Sequence, residues 1–414
     1  MIGPRWLLVL GFTGMVASPP RAAAAQSPAV ASVPSDPTFA ALGTDGVVAT
    51  GRIRQLGEKA GLVLDVGPDG ERSVPLDRLV KLTREGASPP PRNEGGGIVV
   101  FPEGDRLVRC RVGSSGEAKL DVHSTALENL GIPLDGILGL ILEVHGDPDG
   151  AEALVARVRS EPRDSEILWL ANGDKVPGLL SRIDEKKVAF QPASGRIELD
   201  RKGVDAIGFD PKQVDYRRPK GPFFELTLVD GSRLGMSDLR VERGLVIGTT
   251  RFLAEIRVPL GELAQVHVLN ASVAYLSDRE PDRFLYEAYV GPTRPFRRDL
   301  SVAGQPLRLG KRTYDRGLGT QSRTLLAYRL EPKARRFQAL VGLDDQAGPL
   351  GNVAFKVVLD GKTRFESPPM GVGEPPRAVD VDIEGGKVLV LITEFGERGD
   401  VQDSADWVEA RIVR

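Results

Sequence analysis

Residues 337–343 read Phe337-Gln338-Ala339-Leu340-Val341-Gly342-Leu343, placing Phe337, Ala339 and Val341 on one face of an extended chain. Period-two alternation is the pattern of a strand packed on one side. The same reading extends outward to three further runs: Val353, Phe355 and Val357; Val379, Val381 and Ile383; and Val388, Val390 and Ile392. From about Ser272 the texture also changes, since five of the six tyrosines (Tyr275, Tyr286, Tyr289, Tyr314 and Tyr328) lie beyond that point. Residues 272–414 are therefore expected to form a β-sandwich.

Upstream, one pattern recurs four times and ends each time in a similar segment. These closing segments are Val74-Pro75-Leu76-Asp77, Ile132-Pro133-Leu134-Asp135, Ile197-Glu198-Leu199-Asp200 and Val258-Pro259-Leu260-Gly261. Their leucines are about 60 residues apart, a period that suits small four- or five-stranded units and suggests divergent duplication. Hairpin signals sit at Asn172-Gly173-Asp174 and Asp230-Gly231-Ser232, where glycine supplies the positive φ of a tight turn. Small antiparallel barrels or curled sheets follow, two units over 37–160 and two over 161–271. Helix is expected only as connectors, at Ser124–Leu130 and Ala151–Val158. Breaks are expected at Ser88–Arg92 and Asp210–Pro222, where prolines cluster. The whole is read as all-β: barrel-like repeat units followed by a jelly-roll-like sandwich.

The first 25 residues have the layout of an export signal, with Arg5, the apolar run Trp6–Val16 and the small residues Ala22–Ala25. Residues 26–36 then form a loose leader, and a secreted or periplasmic location is expected. No later stretch reaches the roughly 18 apolar residues of a spanning helix. Lys and Arg number 55 against 57 Asp and Glu, without a long block of one sign, which argues against a nucleic-acid partner. Cys110, the only cysteine, lies on the same strand face as Val108 and Val112 and reads as a small buried hydrophobe.

Four ordered motifs lie in the last third: Tyr314-Asp315-Arg316-Gly317-Leu318-Gly319-Thr320, Val341-Gly342-Leu343-Asp344-Asp345, Asp360-Gly361-Lys362, and Gly399-Asp400-Val401-Gln402-Asp403-Ser404-Ala405-Asp406-Trp407. In this order and spacing they resemble the NPCBM domain found beside glycoside hydrolase domains and on other secreted bacterial proteins. The resemblance implies a jelly-roll-like sandwich whose edge loops hold a glycan, in the best-understood relatives a galactose-containing one. Many relatives carry His after the Gly-Leu-Gly-Thr turn and Asp-His before Ala-Asp-Trp, where this chain has Gln321 and Asp403-Ser404. Both replacements still form hydrogen bonds but lack an imidazole, so either ligand preference is expected to differ or binding to be lost.

A sugar site needs polar partners for hydroxyls and an aromatic for the apolar ring face. The loops offer Tyr314, Arg316, Gln321, Asp344, Asp345, Glu394 and Trp407. Structural roles compete with these: Gly317 and Gly319 as a tight turn, Asp344-Asp345 as a turn cap, and Trp407 as core. Asp400, Asp403 and Asp406 recur every third residue, which suits calcium if backbone carbonyls complete ~6–8 oxygen ligands, or else forms a solvated acidic turn.

The three histidines, His123, His145 and His267, are too scattered for a metal motif, and no nucleophile elbow, phosphate loop or dinucleotide fingerprint appears. The expected function is non-catalytic glycan binding, with the N-terminal units as spacer or protein-contact surface. The rivals are an envelope interaction scaffold and an accessory subunit of a glycan-degrading complex.

Overall fold

The computed structural model describes residues 36–414 apart from 88–90, 92, 93, 117, 218, 289–293 and 398. The expected signal, nearly all of the leader, Tyr289 and most of the Ser88–Arg92 break lie outside the described residues.

Twenty strands precede the sandwich. The first five are Thr38–Gly43 (β1), Val48–Gly57 (β2), Gly61–Asp65 (β3), Glu71–Val74 (β4) and Leu79–Arg84 (β5). Next come Gly97–Val100 (β6), Arg106–Ser115 (β7), Lys119–Ser124 (β8), Glu128–Pro133 (β9) and Gly139–Ile141 (β10). Glu166–Leu170 (β11), Lys175–Ile183 (β12), Lys187–Gln191 (β13), Ile197–Asp200 (β14) and Val204–Gly208 (β15) form the third set. The fourth is Phe223–Leu228 (β16), Arg233–Glu242 (β17), Leu245–Thr250 (β18), Glu255–Pro259 (β19) and Leu263–Leu269 (β20).

Each set follows one antiparallel scheme. Successive strands pair first to second, second to third and third to fourth, and the fifth returns to the first in every set, over three residues in the second set's β10–β6 pairing. A single 3-10 turn precedes every fifth strand, at Leu76–Arg78, Leu134–Gly136, Arg201–Gly203 and Leu260–Glu262. The second strand of each set carries a register shift, the kind of irregularity that bends a strand. Between sets, β5 pairs with β20 and β10 with β15, so the first set adjoins the fourth and the second adjoins the third. Strand pairing thus crosses the 160/161 boundary.

The hairpin turns behave as their chemistry dictates. Gly173 and Gly231 take φ of 90° and 93°, and the Asn172 and Asp230 side chains accept from the backbone N–H two residues on, at 3.0 and 2.8 Å. Val108, Cys110 and Val112 are all buried, and burial pushes the Cys110 thiol up to about 12. The one helix among the described residues, Pro148–Ser160 (α1), contains the expected Ala151–Val158 and is capped by Asp147, whose carboxylate accepts from Gly150 N at 3.0 Å. Ser124–Leu130 is not helical. It is the turn between β8 and β9, because Leu120 opposite Ile132 and Val122 opposite Leu130 are cross-strand pairs on a shared sheet.

Asp105, just before β7, joins the second set to the fourth. It is 1% exposed and accepts from the Tyr216 hydroxyl and from Gly235 N at 2.8 Å, while Arg251 lies over the Tyr216 ring.

The sandwich follows as Val273–Tyr275 (β21), Arg283–Tyr286 (β22), Arg297–Arg298 (β23), Leu307–Leu309 (β24), Arg312–Tyr314 (β25), Gly317–Gln321 (β26) and Thr324–Arg329 (β27). Then come Arg336–Leu343 (β28), Asn352–Leu359 (β29), Lys362–Glu366 (β30), Met370–Gly371 (β31), Arg377–Asp382 (β32), Val388–Phe395 (β33) and Ser404–Val413 (β34). One sheet has the order β23-β26-β34-β28-β32, and the other β22-β27-β33-β29-β30. Phe337, Val341, Phe355, Leu391 and Trp407 interlock between them. The all-β reading therefore holds.

In β33 the expected inward face is reversed. Leu389 and Leu391 are buried, whereas Val388 is 36% exposed, because this run is apolar on both sides and alternation alone cannot choose between faces. The Gly317–Thr320 stretch is likewise strand rather than turn. A Cβ at Gly317 would lie 2.6 Å from the Trp407 carbonyl oxygen, so glycine is required by the close approach of β34.

Candidate functional site

The proposed sugar ligands divide among four places in the sandwich. Trp407 lies in the core at 0% exposure, its indole N–H donating to Thr393 Oγ1 at 3.0 Å and its ring edge-on to Phe355. It offers no face to a ligand, and the competing core role is the correct one. Arg316 is also withdrawn from the loops: it is buried and pairs with Glu225 at 2.9 Å and with Asp278 at 2.5 Å. Its motif neighbour Tyr314 packs half-buried against Leu307, Leu309 and Val408 beneath the β24–β25 hairpin.

Asp344 and Asp345 hold that same hairpin. Asp345 accepts from Gly310 N and Lys311 N at 3.0 and 2.6 Å, and Asp344 accepts from Arg308 N at 3.3 Å and Gln346 N at 2.8 Å. Asp406 is buried against Asp344 without a hydrogen-bond donor of its own. Burial first, and then the neighbouring Asp344 carboxylate, push the Asp406 carboxyl well above the usual range.

The expected calcium triad does not assemble. Asp406 faces Asp344, whereas the Asp403 carboxylate accepts from Asn352 N at 2.8 Å and the Asp400 carbonyl accepts from the Gln321 amide at 2.9 Å. Among the described residues no three Asp, Glu, His or Cys side chains gather as a metal site. The every-third-residue spacing puts these aspartates along a loop entering β34, where the strand turns their side chains to different surroundings.

Gln321 and Glu394 are brought to one end of the sandwich, where β22, β26 and β33 end and β27 begins. Between them stands Arg323, in the two-residue turn joining β26 to β27 with φ of 56°. Its guanidinium lies 3.1 Å from Glu287 and 3.6 Å from Glu394, and 5.7 Å from the Phe395 ring centroid. Tyr286 is close enough to Asp400 for that carboxylate to help raise its hydroxyl pKa, second to the effect of burial. Arg323 and Glu287 are exposed, and Tyr286, Glu394 and Phe395 are partly so.

This end combines a fork of cationic donors, two carboxylate acceptors and two aromatic rings, with Gln321 and Asp403 beneath. Gln321 Oε1 and Asp403 Oδ2 are buried without a partner among the described residues. Such a set can hydrogen-bond hydroxyls and cover an apolar ring face. Sequence reasoning did not single out Arg323, Glu287, Tyr286 and Phe395, which the fold gathers here. The available signal was positional: Arg323 occupies the turn directly after the Gly-Leu-Gly-Thr-Gln strand.

Residues 272–413 match the NPCBM/NEW2 domain family. The C-terminal third is thus an NPCBM/NEW2 domain, and the other two thirds lie outside the match. A Renibacterium salmoninarum protein assigned by name alone as an endo-alpha-N-acetylgalactosaminidase is 29% identical over 110 residues, which is 27% of this chain and 7% of that protein. Among solved structures, the CBM51 of Clostridium perfringens GH95 in complex with methyl-galactose is 26% identical with a TM-score of 0.32, covering 34% of this chain and 99% of that one. The tandem CBM51 modules of a Streptococcus pneumoniae family 98 glycoside hydrolase are 14% identical with a TM-score of 0.31, covering 61% and 88%.

Proposed function

We propose that this is an exported, non-catalytic protein that binds a glycan through the loop end of its NPCBM/NEW2 domain. The observation that carries the reading is the grouping of Arg323, Glu287, Glu394, Phe395 and Tyr286 around one turn of that domain. Charged donors and acceptors beside aromatic faces are what a pyranose requires. In this reading Arg323 and Glu394 hold hydroxyls, Phe395 or Tyr286 covers the ring, and Gln321 orients the loop through the Asp400 carbonyl. The family resemblance favours a galactose-containing ligand. The N-terminal sets act as carrier and protein-contact region.

A glycan array probed with the whole chain, the Arg323→Ala variant and Tyr314→Ala tests this. Selective retention of one glycan class is expected, lost at least tenfold in Arg323→Ala and kept in Tyr314→Ala. A folded wild-type chain that retains no glycan, or an Arg323→Ala chain that binds as well as wild type, would overturn the reading.

A further inference from the structure

Outside the sandwich, a cleft of about 1080 Å³ opens between the second and third strand sets. Its floor is the face of β7, β8 and β9, where Arg111, His123 and Asn129 stand opposite one another across three strands. Its far wall is the β12–β13 turn with Glu185 and Lys186, and the 3-10 turn carrying Lys202.

The walls are fixed before any ligand arrives. Arg201, half-buried at the base, donates to Val112 O at 2.6 Å on one side and to Asp184 O at 3.1 Å on the other. Asp184 in turn accepts from Lys186 N and Lys187 N at 2.9 and 2.8 Å, holding the turn. On the floor, His123 and Asn129 share a 2.9 Å hydrogen bond. A site with its polar groups already oriented loses little on binding.

The cleft also leaves charge unused. Arg111, Lys186, Lys202, Glu143 and Glu185 are exposed and form no ion pair among the described residues. Four basic and four acidic side chains line it, so it has no net charge to attract a polyanion. No aromatic side chain lines it either, which removes the platform on which sugars and nucleobases stack. Its volume exceeds the ~300–1,000 Å³ usual for small-molecule pockets. What complements exposed charges of both signs, with amide and imidazole groups between them, is a polymer that itself carries both signs and backbone amides.

We propose that this cleft binds an extended polypeptide segment bearing both acidic and basic side chains. Lys186 and Lys202 engage its carboxylates, Glu143 and Glu185 its cations, and His123 and Asn129 its amides.

The probe is a fluorescein-labelled octapeptide of alternating Lys and Glu, compared with all-Lys, all-Glu and alternating Ser-Gly octapeptides in anisotropy titrations of the whole chain. Saturable binding of the alternating peptide is expected, weakened at least tenfold in Lys186→Glu/Lys202→Glu, whose exposed substitutions should leave the melting temperature unchanged. The Arg323→Ala variant should bind it normally, which separates this site from the glycan site. The proposal fails if the alternating peptide binds no better than the Ser-Gly or single-sign peptides. It fails equally if the charge reversal leaves binding intact.

Discussion

Asp105 shows how much one buried carboxylate can set. Burial raises it to about 6, against the opposing field of Arg251 and the hydrogen bonds from Tyr216 and Gly235. Because the folded chain holds this proton more tightly than the unfolded one, its contribution is full below about pH 4 and is lost as pH rises through about 6. At about 1.36 kcal/mol per pKa unit the effect is on the order of 3 kcal/mol. The Asp105→Asn variant keeps an acceptor for Tyr216 and Gly235 and cannot ionise. Denaturant unfolding should find it more stable than wild type at pH 7, with the gap closing toward pH 4; an equal gap at both values would refute the assignment. Asp406→Asn is expected to act in the same direction, raising the melting temperature at pH 7 by relieving a carboxylate crowded against Asp344.

At the scale of elements, the β24–β25 hairpin lies over the outer face of β34, with its tip held by the Asp345 carboxylate. Asp345→Ala removes the carboxylate that accepts from two backbone N–H groups, at about 1 kcal/mol each. Hydrogen exchange over 307–314 should quicken while β28 and β34 stay protected, and unchanged exchange there would mean the hairpin is held by Leu307 and Leu309 instead. This element also shows what the sequence made legible. Alternation located β28, β29 and β32, and the closing Pro-Leu segments located three of the four 3-10 turns, because both signals are local. The roles of Asp344 and Asp345 were open between ligand and turn anchor, since three of the four N–H groups they accept from lie some 35 residues away. Trp407 was ambiguous for the reason that a tryptophan in a strand serves core and ligand alike. Its partner Thr393 comes from the opposite sheet.

At the scale of the molecule, the first and fourth strand sets meet the sandwich through buried polar and charged groups. Arg316 pairs with Glu225 of β16, Lys81 of β5 reaches Glu409 at 2.8 Å, and the Gln338 amide reaches Thr44 O at 3.4 Å. Burial works against the Glu409 carboxylate, but Lys81, His267 and Arg411 outweigh it and hold the group at about 2. None of these pairs could be read from sequence, because their members are separated by 91 to 328 residues. Removing one partner of a buried pair costs about 3–5 kcal/mol by leaving the other uncompensated. Arg316→Met should therefore lower the melting temperature and split the transition in two. Adding Glu225→Gln should recover part of the loss, whereas additive losses would show that the pair does not couple the halves.

Arg316 and Gln338 lie toward one end of β26 and β28, with Glu409 near them midway along β34, while Gln321, Asp344 and Ser404 lie at the other end. From Glu409 to Ser404 the chain runs about 17 Å at ~3.4 Å per residue. If the N-terminal sets are tethered and a ligand is held at the Arg323 turn, any pull between them runs lengthwise along three neighbouring strands. Load in that direction must shear a row of interstrand hydrogen bonds together instead of peeling them one by one. The sandwich is thus mounted in the orientation that best resists tension.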